Sequence, residues 1–169
     1  MGRLHRLGLV NPNLIAVHAV HLDVTDIGLL AIEGASVAHN PTSNMKLASG
    51  ASPVAALVRQ GINVGLGTDG PASNNRLDMF QEMRHAALLA KLTANDAAAL
   101  DAHTVLHMAT LGGARAMGLA DSIGSLEIGK FADLRAIRLD DWLLQPCFDP
   151  ASHLIYVAGR EHVSHVWVA

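Results

Sequence analysis

Hydrophobic positions along the chain fall into two alternating kinds of run. Leu14-Ile15-Ala16-Val17, Ala35-Ser36-Val37-Ala38 and the run 62–66 are short and mostly apolar, as buried strands are. Between them the spacing changes to that of helices. Residues 25–33 carry Ile27, Leu29, Leu30 and Ile32 at near-helical intervals, with Asp23 or Thr25 available as N-cap. Residues 53–60 place Val54, Leu57 and Val58 on one face, with Pro53 suited to a first turn and Gly61 to a stop. The strand-to-strand interval is about 20 to 30 residues, the length of a βαβ unit, and predicts parallel strands. The three strands run into His18, His39 and Asp69. Ligands in α/β folds gather at the C-terminal ends of parallel strands, so these three residues are expected to face one site.

The middle of the chain is predicted helical. Residues 77–92 carry a stripe of Met79, Phe80, Met83, Ala87 and Leu88; residues 104–110 and 112–117 make two further helices, the latter stopped by Gly118. Near Ser122 the pattern changes. Residues 124–130 are turn-rich, 132–139 and 163–168 read as strands, and 146–156 as a loop with one helical turn. The division is barrel-like α/β over 1–120 and a β appendage over 121–169.

Composition narrows the function classes. The length of 169 residues suits one domain, and 50% hydrophobic against 16% charged residues excludes a disordered chain. A net charge of -3 and an aromatic content of 4% argue against nucleic-acid partners. Cys147 is the single cysteine, so there is no internal disulfide. No apolar run spans a membrane and no signal-peptide pattern opens the chain, so a cytoplasmic protein is expected. The chemical clue is the 10 histidines.

On a strand, residues three apart face opposite sides, so His18 and His21 cannot both be strand-borne ligands. Asn40-Pro41-Thr42-Ser43-Asn44 reads as a turn. His85, His103, His107, His153, His162 and His165 fall on helices or in the appendage and are expected to be structural. Asp69 follows its strand directly, between Gly67 and Gly70. A carboxylate there can bind a cation or accept a proton from water; it can equally serve as a turn or cap residue. Ser43, Ser49 and Ser73 lack a nucleophile-elbow setting, and the glycines make no phosphate loop. One reading is a hydrolytic metal site, but an incomplete one, since a catalytic zinc has three or more protein ligands.

Val17-His18-Ala19-Val20-His21-Leu22, Val37-Ala38-His39-Asn40-Pro41-Thr42-Ser43-Asn44-Met45-Lys46-Leu47 and Gly65-Leu66-Gly67-Thr68-Asp69-Gly70-Pro71-Ala72-Ser73-Asn74-Asn75 together resemble the amidohydrolase superfamily. The nearest branch is the methylthioadenosine/S-adenosylhomocysteine deaminase group, which includes the triazine hydrolases. Residues 124–134 resemble the return of such chains to their small β domain. The resemblance implies the C-terminal part of a metal-dependent (β/α)8 barrel, strands six to eight, over 1–120. Residues 121–169 would be the end of the barrel and part of the small β domain. It implies one divalent metal, zinc or iron, with zinc preferred. Asp69 would be a metal ligand and proton acceptor, His18 would lie near the activated water and the substrate, and His39 would shape the pocket. The implied reaction is hydrolytic deamination of an adenosine-type nucleoside. The implied partner is a small molecule, a nucleoside or heterocyclic amine, and the full-length enzyme would be a homo-oligomer.

The departures matter as much. No His-x-His and no His-x-x-Glu occurs in the chain, so the ligands of strands one and five are missing. A whole barrel takes about 250 residues. Arg135 interrupts a run that is apolar in the family. The chain is therefore expected to be a fragment, inactive alone. The alternatives are a non-catalytic remnant, a half-barrel that needs a partner, or an enzyme of guanine or triazine substrates.

Overall fold

The computed structural model describes residues 1–169. A short helix α1 (Gly2–Arg6) leads to strand β1 (Ile15–Val17), helix α2 (Val24–Ile32) and strand β2 (Ser36–His39). Two short helices, α3 (Pro41–Lys46) and α4 (Val54–Arg59), precede strand β3 (Val64–Leu66). The strands form one parallel sheet in the order β1-β2-β3, with Ala16 opposite Val37 and Ala38 opposite Gly65. This is the expected parallel arrangement. Asp23 caps α2, accepting from the Asp26 amide at 2.8 Å. Leu30, Val37, Leu57 and Val64 bury the inner face.

One expectation fails between β2 and α4. Pro41 to Asn44, expected in a turn with Asn40, is helix, because Pro41 occupies the first helical turn, where its missing N–H costs nothing. A loop follows β3, and then the long helix α5 (Met79–Ala94), whose N-cap Asp78 accepts from the Phe80 and Gln81 amides. Its buried stripe is Phe80, Met83, Ala86, Ala87 and Ala90, together with Glu82; Leu88, expected in the stripe, is half exposed.

The two helices expected over 104–117 are one bent rod. Helix α6 (Ala102–His107) passes through a π turn (Met108–Gly112) into α7 (Gly113–Ala116). Gly112 on the rod and Gly65 on β3 let the two lie in direct contact. A Cβ at Gly112 would sit 2.5 Å from the Val64 carbonyl oxygen, and one at Gly65 would sit 2.9 Å from Gly113 Cα.

Strands β4 (Leu134–Ile137) and β5 (Val163–Trp167) pair antiparallel, with an irregularity between Ala136 and Ile137. Arg135 lies with its guanidinium 5.0 Å above the Phe80 ring, which gives this interrupting charge a packing partner. The segment 146–156, expected as a loop, holds the two-turn helix α8 (Pro150–Tyr156). Asp149 caps it by accepting from the Ala151 and Ser152 amides, with Pro150 in the first turn. Ile155 and Ala158 join the same buried cluster as Leu30 and Val37.

No helix is long and apolar enough to cross a membrane. The accessible surface is 9525 Å², against about 8,000 Å² for a compact monomer of this mass. Trp142, Phe148, Ile128 and Leu126 are among the large apolar side chains it exposes.

Candidate functional site

β1 delivers His18 one residue past its end, β2 ends on His39, and β3 is followed by Asp69. The expected convergence of His18 and Asp69 is present: Nε2 of His18 lies 3.8 Å from Oδ2 of Asp69. Both residues have left-handed backbone, φ 66 at His18 and φ 59 at Asp69. Aspartate tolerates that region better than most residues, and such positions concentrate at functional sites.

Helix α3 organises the pair. Ser43 donates its hydroxyl to Asp69 Oδ2 at 2.6 Å, and Asn44 Oδ1 meets His18 Nδ1 at 2.8 Å. The loop after β3 supplies the remaining contacts. Ser73 donates to the same Oδ2 at 2.7 Å, and the Gly70 amide donates to Oδ1 at 2.8 Å. These bonds, Ser43 first, then Ser73 and Gly70, lower the Asp69 carboxyl from 3.8 to about 2, against a small opposing effect of desolvation. With Asn44 Oδ1 as acceptor, His18 carries its hydrogen on Nδ1 and presents Nε2 towards Asp69.

His39 is of another kind. Only 1% exposed, it has an Nδ1 with no hydrogen-bond partner. Burial, with the nearby His18 second, lowers its pKa from 6.5 to about 4. His21 is exposed and lies beside Gly50. His162 is buried, with Nδ1 accepting from the Gly159 amide at 3.0 Å, as a structural histidine would.

Four contributors to this arrangement escape a reading of residue types alone: Ser43, Asn44, Ser73 and Glu82. A helix signal was available in Pro41, and it would have placed Ser43 and Asn44 on one turn beside β3. Nothing local announces Glu82, which lies inside an otherwise apolar stripe.

The donors suit a divalent metal in kind. Asp69 offers an anionic oxygen one-third exposed, and His18 an imidazole similarly open. They do not suffice in number, because no group of three His, Cys, Asp or Glu side chains is arranged to hold an ion.

The family model described as "Amidohydrolase family" matches residues 1–169. A 5-methylthioadenosine/S-adenosylhomocysteine deaminase of Teredinibacter turnerae is 55% identical over 167 residues, which is 99% of this chain and 38% of that protein. The crystal structure of an adenosine deaminase from Xanthomonas campestris with bound zinc superposes with a TM-score of 0.97 at 57% identity, covering 99% of this chain and 38% of that one. An atrazine chlorohydrolase from Arthrobacter aurescens complexed with zinc gives a TM-score of 0.91 at 32% identity, covering 98% and 37%. The chain thus spans well under half the length of the relatives it matches.

Proposed function

Since the chain belongs to the amidohydrolase family, we propose that it forms part of a hydrolytic deaminase of adenosine-type nucleosides. The supporting observation is the His18–Asp69 pair at the ends of β1 and β3, with the carboxylate held by Ser43, Ser73 and Gly70. Residues 1–120 are assigned to the barrel and 121–169 to its end and the return into a small β domain.

Asp69 is assigned as a metal ligand through its carboxylate. A divalent metal held there, zinc in the solved relatives described above, would supply a nucleophilic water at neutral pH. Asp69 is ionised at neutral pH and is assigned as the group that accepts the proton of the attacking water. His18 orients water and substrate through Nε2, while Asn44 fixes its ring from the other side. His39 walls the pocket as a neutral imidazole. The proton taken from the water is returned to the amino nitrogen, the C6–N bond breaks, ammonia leaves, and the 6-amino purine becomes the 6-oxo purine. This chain supplies one carboxylate and one imidazole; the remaining donors come from outside it.

The test is ammonia release from 5′-methylthioadenosine and S-adenosylhomocysteine by the protein that carries this chain. Asp69→Asn is expected to lower kcat about a hundredfold to ten-thousandfold. Parent-level turnover in Asp69→Asn would overturn the assignment. The 169-residue chain by itself is expected to hold no tight zinc and show no turnover. A full equivalent of zinc with turnover would refute that part.

A further inference from the structure

Glu82 is a carboxylate in the interior of α5, 1% exposed, where a helix in this position would ordinarily place an apolar side chain. Its two oxygens reach different segments. Oε2 accepts from the Thr42 amide at 3.1 Å, in the first turn of α3, where helix N–H groups have no internal partner. Oε1 accepts from Asn74 Nδ2 at 2.6 Å. That same Nδ2 donates to the Thr68 carbonyl at 2.9 Å, immediately before Asp69. Asn74 cannot turn over, because its Oδ1 accepts from the Arg76 amide at 3.2 Å.

The two segments are the ones that hold Asp69. α3 carries Ser43 and Asn44; the loop carries Gly70 and Ser73. We propose that Glu82 is the positioning residue of the His18–Asp69 pair, fixing α3 and the 70–75 loop so that both serines reach one oxygen of Asp69. Its consequence for turnover rests on the functional reading above; its geometry does not. Two acceptors are required, since both facing groups are donors. A glutamine offers one acceptor and one donor, so one of the two bonds becomes an N–H to N–H encounter. An aspartate keeps both acceptors but is a methylene short of spanning them.

The experiment uses Glu82→Gln in the 169-residue chain, followed by amide NMR and hydrogen exchange. The Gly70 amide, which donates to Asp69 Oδ1, reports the carboxylate, and the Thr42 amide reports α3. Glu82→Gln is expected to shift the Gly70 resonance and to speed Thr42 exchange about tenfold or more, as loss of a charge-assisted bond does. Leu30→Ala, a core truncation on α2, is the comparison: it should lower the urea midpoint while leaving Gly70 in place. A Glu82→Gln that behaves like Leu30→Ala, less stable but with Gly70 and Thr42 unmoved, overturns the proposal. If Glu82→Gln does not fold, Asn74→Asp replaces the donor on the loop side with an acceptor and must shift Gly70 likewise. If neither folds, an unprotected Thr42 amide in the parent chain overturns the proposal and a protected one supports it. In the protein that carries this chain, Glu82→Gln should lower kcat at least tenfold with KM little changed. Failure of Asp69→Asn to affect turnover, with Gly70 still moved by Glu82→Gln, defeats the functional reading alone.

Discussion

Nε2 of His18 and Oδ2 of Asp69 stand 3.8 Å apart although their strands, β1 and β3, are not neighbours in the sheet. β2 lies between them, and the gap is closed by geometry past the strand ends. Both residues take left-handed backbone, which re-aims each side chain, and α3 reaches over β2 to hold them from one side. Left-handed backbone at a non-glycine residue costs on the order of 1 kcal/mol. The hydrogen bonds that Asp69 accepts from Ser43, Ser73 and Gly70, and the one between the His18 ring and Asn44 Oδ1, offset it.

The His39 ring makes stability fall with acid. Its pKa drops from 6.5 to about 4 on folding, because burial first and His18 second disfavour the charged form. The unfolded chain therefore takes up a proton that the folded chain refuses. This stabilisation is complete above pH 6.5 and is lost as pH falls towards about 4. The full loss is about 3 kcal/mol. Urea unfolding of the parent and of His39→Gln between pH 7.5 and 4 (roughly the span of the linkage) should show a steeper decline in the parent. Equal slopes would contradict the assignment.

Gly112→Ala should damage the rod that lies on β3. The new methyl would sit 2.5 Å from Val64 O and 3.1 Å from His107 O, both backbone atoms that cannot rotate away. Overpacking of this kind costs about 1–3 kcal/mol. Gly113→Ala, whose new methyl would sit 4.0 Å from the Met108 carbonyl oxygen, is the matched control and should be nearly neutral. The difference between their urea midpoints is the measurement, and equal midpoints would rule the contact out.

Asp101→Ala should loosen α6. Asp101 accepts from the Thr104 amide at 2.9 Å, and that bond is the main cause of its lowered pKa. The loss should be about 1 kcal/mol at neutral pH. It should shrink as pH falls through the folded-state pKa, because protonation removes the cap from the parent as well. An Asp101→Ala penalty that does not diminish in acid would exclude the cap as its source.

Much of the sheet and its polar ends was legible because burial on both faces makes a parallel strand read as a continuous apolar run. Ser36–His39 was legible for that reason and the Asp23 cap for its chemistry. Ile15–Val17 reads as equally apolar, but it is an edge strand only partly buried, with Val17 54% exposed, which corrects the expectation of a buried strand there. The misread pieces share a cause. At Asn40-Pro41 and Asp149-Pro150 the same residues serve a turn or the first turn of a helix, and packing against α5 decides between them. The support of the site was invisible for a different reason. Ser43 and Asp69 are 26 positions apart, and Thr42 and Glu82 are 40 apart, so each bond exists only once the sheet has placed its ends. Residue type signalled Asp69; it could not signal what holds it.

The accessible surface described above has a thermodynamic consequence. Its surplus over a compact monomer, roughly 1,500 Å², is about twice the ~800 Å² that an ordinary protein–protein interface removes from one partner. Trp142, Phe148 and Ile128 lie on that surface, and β1 and β3 each have a free edge. A molecule that covers it, binding the folded chain and not the unfolded one, would raise the melting temperature with its own concentration, as a ligand-linked transition does.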